Sequence, residues 1–140
     1  MYNIYNFLYE FGISSKTNFD LYDIARVLNL NIKVLMNNEL DEISDNVNNY
    51  ILNYQDSNYK GSHWVALHLG TKSYYFDSYG LRPTENVTKY LNNREWDYNK
   101  IQVQPFDTNI CGIMCIYFLY RINKNKTFDQ IIKELNVCNQ

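Results

Sequence analysis

Residues 104–120 read QPFDTNICGIMCIYFLY, a polar, proline-containing approach followed by a cysteine that opens an almost wholly apolar segment. Residues 113–120 are long enough for two helical turns, and their apolar character on all sides predicts a buried helix. Cys111 then stands at the mouth of that helix, where unbonded N–H groups and the helix dipole favour a thiolate, the nucleophilic form of cysteine. A free cysteine in apolar surroundings is just as well a small core residue. The choice between the two depends on what the rest of the chain can bring to the thiol.

The partner comes from a hairpin. Residues 63–69, HWVALHL, read as a strand, residues 70–72 as a turn and residues 74–77, YYFD, as the returning strand. Both faces are apolar, so the pair is expected to be covered on both sides. A three-residue loop centred on Gly70 sets His63 directly opposite Asp77 on one face, within side-chain reach. A slip of one residue would separate them. An imidazole can take a thiol proton, and a carboxylate can hold the imidazole in one tautomer and stabilise its charged form. Gln104, seven residues before Cys111, closes the set. Its amide, with the Cys111 backbone N–H, is a candidate oxyanion hole, with Gln102 the nearest substitute. Each residue alone has a plainer reading: His63 as an exposed strand-start residue, Asp77 as a turn former, Gln104 as strand-edge polarity.

Composition bounds the rest. The 140 residues, 46% hydrophobic and 16% aromatic, suit one core and a single domain spanning 1–140. A formal charge of -2 supplies no basic field for nucleic acid or anionic membrane. Cys111, Cys115 and Cys138 are an odd set without C-x-x-C spacing, and no basic, apolar leader opens the sequence. A soluble, intracellular protein without a disulfide framework is expected. The longest apolar run falls far short of the roughly 20 residues that span a bilayer.

Taken in order, residues 2–11 carry apolar side chains at helical spacing up to Gly12, and residues 14–18 are a polar linker. Asn18 can cap a second helix with Leu21, Ile24, Ala25 and Leu28 on one face, ending near Asn29. Residues 31–36 suit a strand that Asn37-Asn38 breaks, and residues 39–49 are irregular, either a solvated acidic surface or one wall of a groove. Pro83 and Thr84 introduce a short helix through Val87, Tyr90 and Leu91, and residues 92–99 look connective. Residues 101–106 read as a strand. Thr127 and Gln130 are spaced as a capping box for a closing amphipathic helix bearing Ile131, Ile132 and Leu135. The sequence contains neither a repeat nor a glycine-rich phosphate loop.

Together, His63-Trp64, the segment 75–80 (YFDSYG), Gln104 and Cys111-Gly112 resemble the cysteine proteases of the adenovirus maturation protease (adenain) and Ulp1 type, in the family's order His, Asp, Gln, Cys. The seven-residue step from Gln104 to Cys111 is similar to the adenovirus enzyme, whereas Ulp-type deconjugases use a shorter one. The earlier segment, residues 18–40, also looks like the leader of related proteases from virophages, Polinton-like elements and large DNA viruses. The resemblance implies an α+β fold with a central mixed sheet packed against the helix carrying Cys111. It implies hydrolysis of peptide bonds in viral structural precursors at Gly-containing sites, in an infected host cell or the virion. It further implies Cys111 as nucleophile, His63 as base and acid, Asp77 as the orienting carboxylate and Gln104 in the oxyanion hole, acting as a monomer without cofactor. Departures from the family are the short chain, Asp77 where the adenovirus enzyme has Glu, and Ile110 where Ulp enzymes place Asp before Cys-Gly. An activating peptide or DNA is not indicated.

Other classes remain. A deconjugase acting after Gly-Gly would use the same residues, and a non-catalytic binding module would use them structurally. A zinc site drawn from His63, His68, Cys111 and Cys115 is disfavoured, because histidines five apart on a regular strand point to opposite faces and no cysteine pair is suitably spaced. Cys115, one turn after Cys111 in an apolar context, reads as core, and Cys138 as incidental.

Overall fold

The computed structural model describes residues 18–53, 63–103 and 111–136. The helix expected over 2–11, the linker 14–17, Gln104 and Cys138 lie outside the described residues. Helix α1 (Asn18–Val27) leads to strand β1 (Lys33–Met36), a 3-10 turn (Leu40–Glu42) and β2 (Asn49–Asn53). The hairpin follows as β3 (Trp64–His68) and β4 (Ser73–Phe76). Then come α2 (Glu85–Leu91), β5 (Trp96–Tyr98), α3 (Cys111–Ile122) and α4 (Phe128–Asn136). The strands form one mixed sheet in the order β1-β2-β3-β4-β5, with parallel pairs at both edges and antiparallel pairs at the centre. The expected α+β class with a central mixed sheet is what the chain adopts.

Helix ends follow local chemistry. Asn29 takes a left-handed φ of 55°, its N–H bonding Arg26 O while Leu30 N–H reaches Ala25 O, the double closure that an asparagine at this position permits. Asn125, φ 64°, closes α3 in the same way. Thr84 Oγ1 accepts the Val87 N–H at the start of α2, and Thr127 Oγ1 accepts the Gln130 N–H at the start of α4.

Both faces of the sheet are covered, as its apolar strands require. On one face Ile51, Trp64, Ala66 and Phe76 pack against α1, α3 and α4. On the other, Tyr50, Leu52, Val65, Leu67 and Tyr75 meet Leu35 and the α2 residues Val87 and Leu91. Helix α3 is apolar all round because it lies inside this arrangement, with Ile113 through Leu119 fully buried. Its last turn carries Arg121, whose Nε and Nη2 donate to Glu134 of α4 at 3.0 and 2.8 Å, while Tyr117 Oη donates to the same carboxylate at 2.7 Å. Burial alone would raise the Glu134 pKa, but the Arg121 and Tyr117 bonds outweigh it and hold the carboxyl below the ordinary glutamate range. With both side chains about nine-tenths buried, Glu134→Gln strands a buried guanidinium and should cost about 3 kcal/mol in urea unfolding. A depressed carboxylate stabilises the fold above its unfolded pKa and stops doing so as pH falls through its folded one. The wild type should therefore lose its advantage over Glu134→Gln in acid. An unchanged urea midpoint would remove this pair from the account.

Three expectations need correction. The hairpin register is displaced by two residues: Leu67 faces Tyr75 and Ala66 faces Phe76, where a three-residue turn would set Leu67 opposite Ser73. The connection is longer because neither Leu69 nor Ser73 joins the turn tightly; their N–H groups bond outward, to Asn48 O and Glu95 O. A displacement of two keeps every side chain on its face. Second, residues 101–103 are not a strand; the fifth strand is Trp96–Tyr98, in the segment expected to be connective. Third, β2 lies inside the sheet although no strand was expected there. Its three apolar residues are bounded by asparagines, which disfavour strands. Here those asparagines have partners: Asn49 Oδ1 receives Asn123 Nδ2 at 2.9 Å and meets His68 Nδ1 at 2.8 Å.

Candidate active site

The antiparallel hairpin brings the start of β3 and the end of β4 to one edge of the sheet. His63 immediately precedes β3 and Asp77 immediately follows β4. His63 Nε2 lies 2.7 Å from Asp77 Oδ1. They meet along a diagonal, since the register puts Asp77 two residues short of the position across from His63. That position falls to Tyr79, whose ring stacks on the imidazole with centroids 4.4 Å apart and planes 11° from parallel.

Asp77 is 1% exposed and its geometry is determined from several sides. The Tyr79 N–H donates to the same Oδ1 at 2.8 Å, and the Gly80 N–H donates to Asp77 O at 2.8 Å, forming a tight turn. Gly80 has φ 71°, and a Cβ there would lie 2.5 Å from the Ile101 carbonyl carbon, so only glycine fits. Just past β5, Asn99 bonds the Asp77 backbone through both ends of its amide.

Helix α3 begins at Cys111 and packs on β3. One turn along, the Cys115 thiol donates to Trp64 O at 3.4 Å, tying the helix to the residue after His63. Burial, with Cys111 and Asp77 nearby, pushes the Cys115 thiol well up. It is a neutral packing group, the core role expected of it. The Cys111 side chain, 6% exposed at the start of α3, joins Asp77 in raising the His63 pKa.

Burial lowers the His63 pKa, but the bonds to Asp77 and Cys111 and the charges of both outweigh it, raising it to about 9. His63 is an imidazolium through neutral pH. Such a charge attracts a nearby anion, and neutralising it removes that attraction. A raised pKa gives an interaction complete below the ordinary histidine value and lost as pH rises through about 9. Alkylation of Cys111 by iodoacetate, an anion that the imidazolium attracts, should decline along an alkaline limb near that value. A rate that climbs steadily through it would show an isolated thiol.

The arrangement thus brings an imidazole and a carboxylate into contact at the sheet edge on which α3, opening with the Cys111 thiol, is packed. The Cys111 N–H, among the first donors of α3, has no carbonyl one turn back within the helix. Gln104, the other proposed oxyanion donor, lies outside the described residues. Among the described residues no group of three or more histidine, cysteine or carboxylate side chains is arranged to hold a metal, and no helix is long and apolar enough to cross a membrane. Sequence reasoning missed Asn99, Tyr79 as a stacking partner, and the left-handed turn at Gly80. Only the glycine after Asp-Ser-Tyr carried a readable signal.

This architecture is the adenain/Ulp1-like α+β fold. Two crystal structures of the ASFV pS273R protease share it. One matches 89% of this chain and 66% of its own length at TM-score 0.57 and 15% identity. The other, a selenomethionyl form, matches 64% of this chain and 42% of its own at TM-score 0.50 and 21% identity. The chain therefore spans 42% to 66% of the length of these solved chains, and at such identities the likeness is one of fold. No protein-family model and no curated protein matches the sequence.

Proposed function

We propose that this chain is a viral cysteine endopeptidase in which Cys111 attacks the scissile carbonyl, His63 carries the proton to the leaving amine, Asp77 orients and stabilises the imidazolium, and Gln104 with the Cys111 N–H receives the oxyanion. The observation that carries this reading is the 2.7 Å contact between His63 and Asp77 at the sheet edge where α3 begins with Cys111. The step conserves atoms: sulfur gains the acyl group, the amine leaves with the proton held by His63, and water then releases the acid and restores the thiol.

The proposed substrates are virion precursor proteins cleaved at Gly-containing sites during maturation, in the infected cell or the particle, by a monomeric enzyme. The support is the motif resemblance, including the seven-residue step from Gln104 to Cys111, and the viral source of the solved proteases with this fold. Deconjugation of ubiquitin-like modifiers would use the same residues. The test offers the purified protein co-encoded capsid precursors beside a panel of Gly-Gly-linked modifier conjugates. Cys111-dependent cleavage of precursors with modifiers left intact is expected. Processing of modifiers alone would overturn the maturation reading, and cleavage of neither would leave a binding module.

A further inference from the structure

The β4–β5 ladder ends at the pair Tyr75 and Tyr98, two residues before Asp77. Beyond it the strand backbones no longer pair, and a side chain takes over. Asn99, 2% exposed, accepts the Asp77 N–H on Oδ1 at 2.9 Å, while its Nδ2 donates to Asp77 O and, at 3.1 Å, to Ile101 O. The amide orientation is forced: an N–H can meet only the oxygen, and two carbonyls only the nitrogen. Past Asn99 the two segments stay together, with Val103 N–H bonded to Ser78 O and the Gly80 backbone against Ile101. Residue 104 follows directly in sequence.

We infer that Asn99 is a positioning residue of this site: one buried amide stands in for the missing rung of the ladder, setting the Asp77 backbone so that its carboxylate meets His63, and joining it to the segment 101–103. The inference rests on the cysteine-protease reading. A serine or alanine at 99 cannot span the groups that the amide bonds, so the buried Asp77 N–H and O would lose these partners and the link to Ile101 O would be broken. The turn would then relax and the carboxylate would move from the imidazole. The titratable groups around His63 among the described residues are Asp77, Cys111 and Tyr79, with Cys115 a turn beyond. Of these, Asp77 is the one whose backbone Asn99 holds.

The test compares Asn99→Ala and the milder Asn99→Ser with wild type, using a precursor peptide that the wild type cleaves and iodoacetamide as a substrate-free probe of Cys111. Expected is a fall in kcat of up to about 100-fold from misplacement of a catalytic group, with KM within roughly two-fold. Iodoacetamide alkylation should slow near about pH 6 to 7 and rejoin wild type in alkali, where thiolate forms without its partner. A lower melting temperature with kcat per folded molecule and the alkylation profile unchanged would make Asn99 a stability residue only and overturn the inference. If Asn99→Ala does not fold, Asn99→Ser decides: a shifted profile supports positioning, a wild-type profile overturns it. These outcomes are separate from failure of the protease reading itself, which an active Cys111→Ala enzyme would reveal.

Discussion

Replacing Cys111 by alanine should abolish peptide cleavage, a loss on the order of a million-fold in kcat, while leaving the fold in place. No other described group can substitute. Cys115 is buried, its thiol is pushed well up, and its hydrogen is given to Trp64 O. Cys111 is the first residue of α3, at the edge of the core cluster, so the substitution removes one sulfur and keeps the buried side chains from Ile113 onward. The packing cost should be about 1 kcal/mol. Circular dichroism and a substrate gel on the same preparation check both halves. A folded, active variant would end the mechanism, and an unfolded one would show Cys111 to be a core residue.

The second large effect is expected of Asp77→Asn. The substituted amide can present its oxygen to the Tyr79 N–H and to His63 Nε2, so the turn survives while the charge is lost. Without that charge the imidazolium loses the partner that raises its pKa, and His63 falls back from about 9 toward the ordinary range. Turnover should fall by up to about 10,000-fold, the scale known when a triad carboxylate is neutralised, with residual activity from the oxyanion donors. The alkaline limb should move to lower pH. An Asp77→Asn enzyme with wild-type turnover at every pH would reduce Asp77 to a turn former.

Why the chemical residues were readable and much of the sheet was not follows from the forces involved. Cys111 was marked by a change from polar to apolar sequence, and the His63–Asp77 contact by the even periodicity of a hairpin. That contact survived a wrong register, because a two-residue displacement keeps both side chains on one face and leaves them diagonal neighbours. The strands β2 and β5 were hidden because tertiary partners, not local propensity, make them strands. Asn49 and Asn53 are tolerated inside a sheet once their amides are bonded or enclosed, and Trp96–Tyr98 pairs only because α2 returns the chain beside β4. Asn99 was invisible for the same reason: nothing local distinguishes it from Asn92 or Asn93 in the same polar segment.

The central claim is that Cys111 is a nucleophile made reactive by His63. A glycine-ended peptide carrying a vinyl sulfone, which bonds only to a thiolate positioned where a scissile carbonyl would sit, tests it directly when the adduct is mapped by mass spectrometry. One adduct on Cys111 is expected in the wild type, lost in His63→Ala and retained in Cys115→Ser. Labelling spread over Cys111, Cys115 and Cys138, or labelling of Cys111 at the same rate without His63, would contradict it.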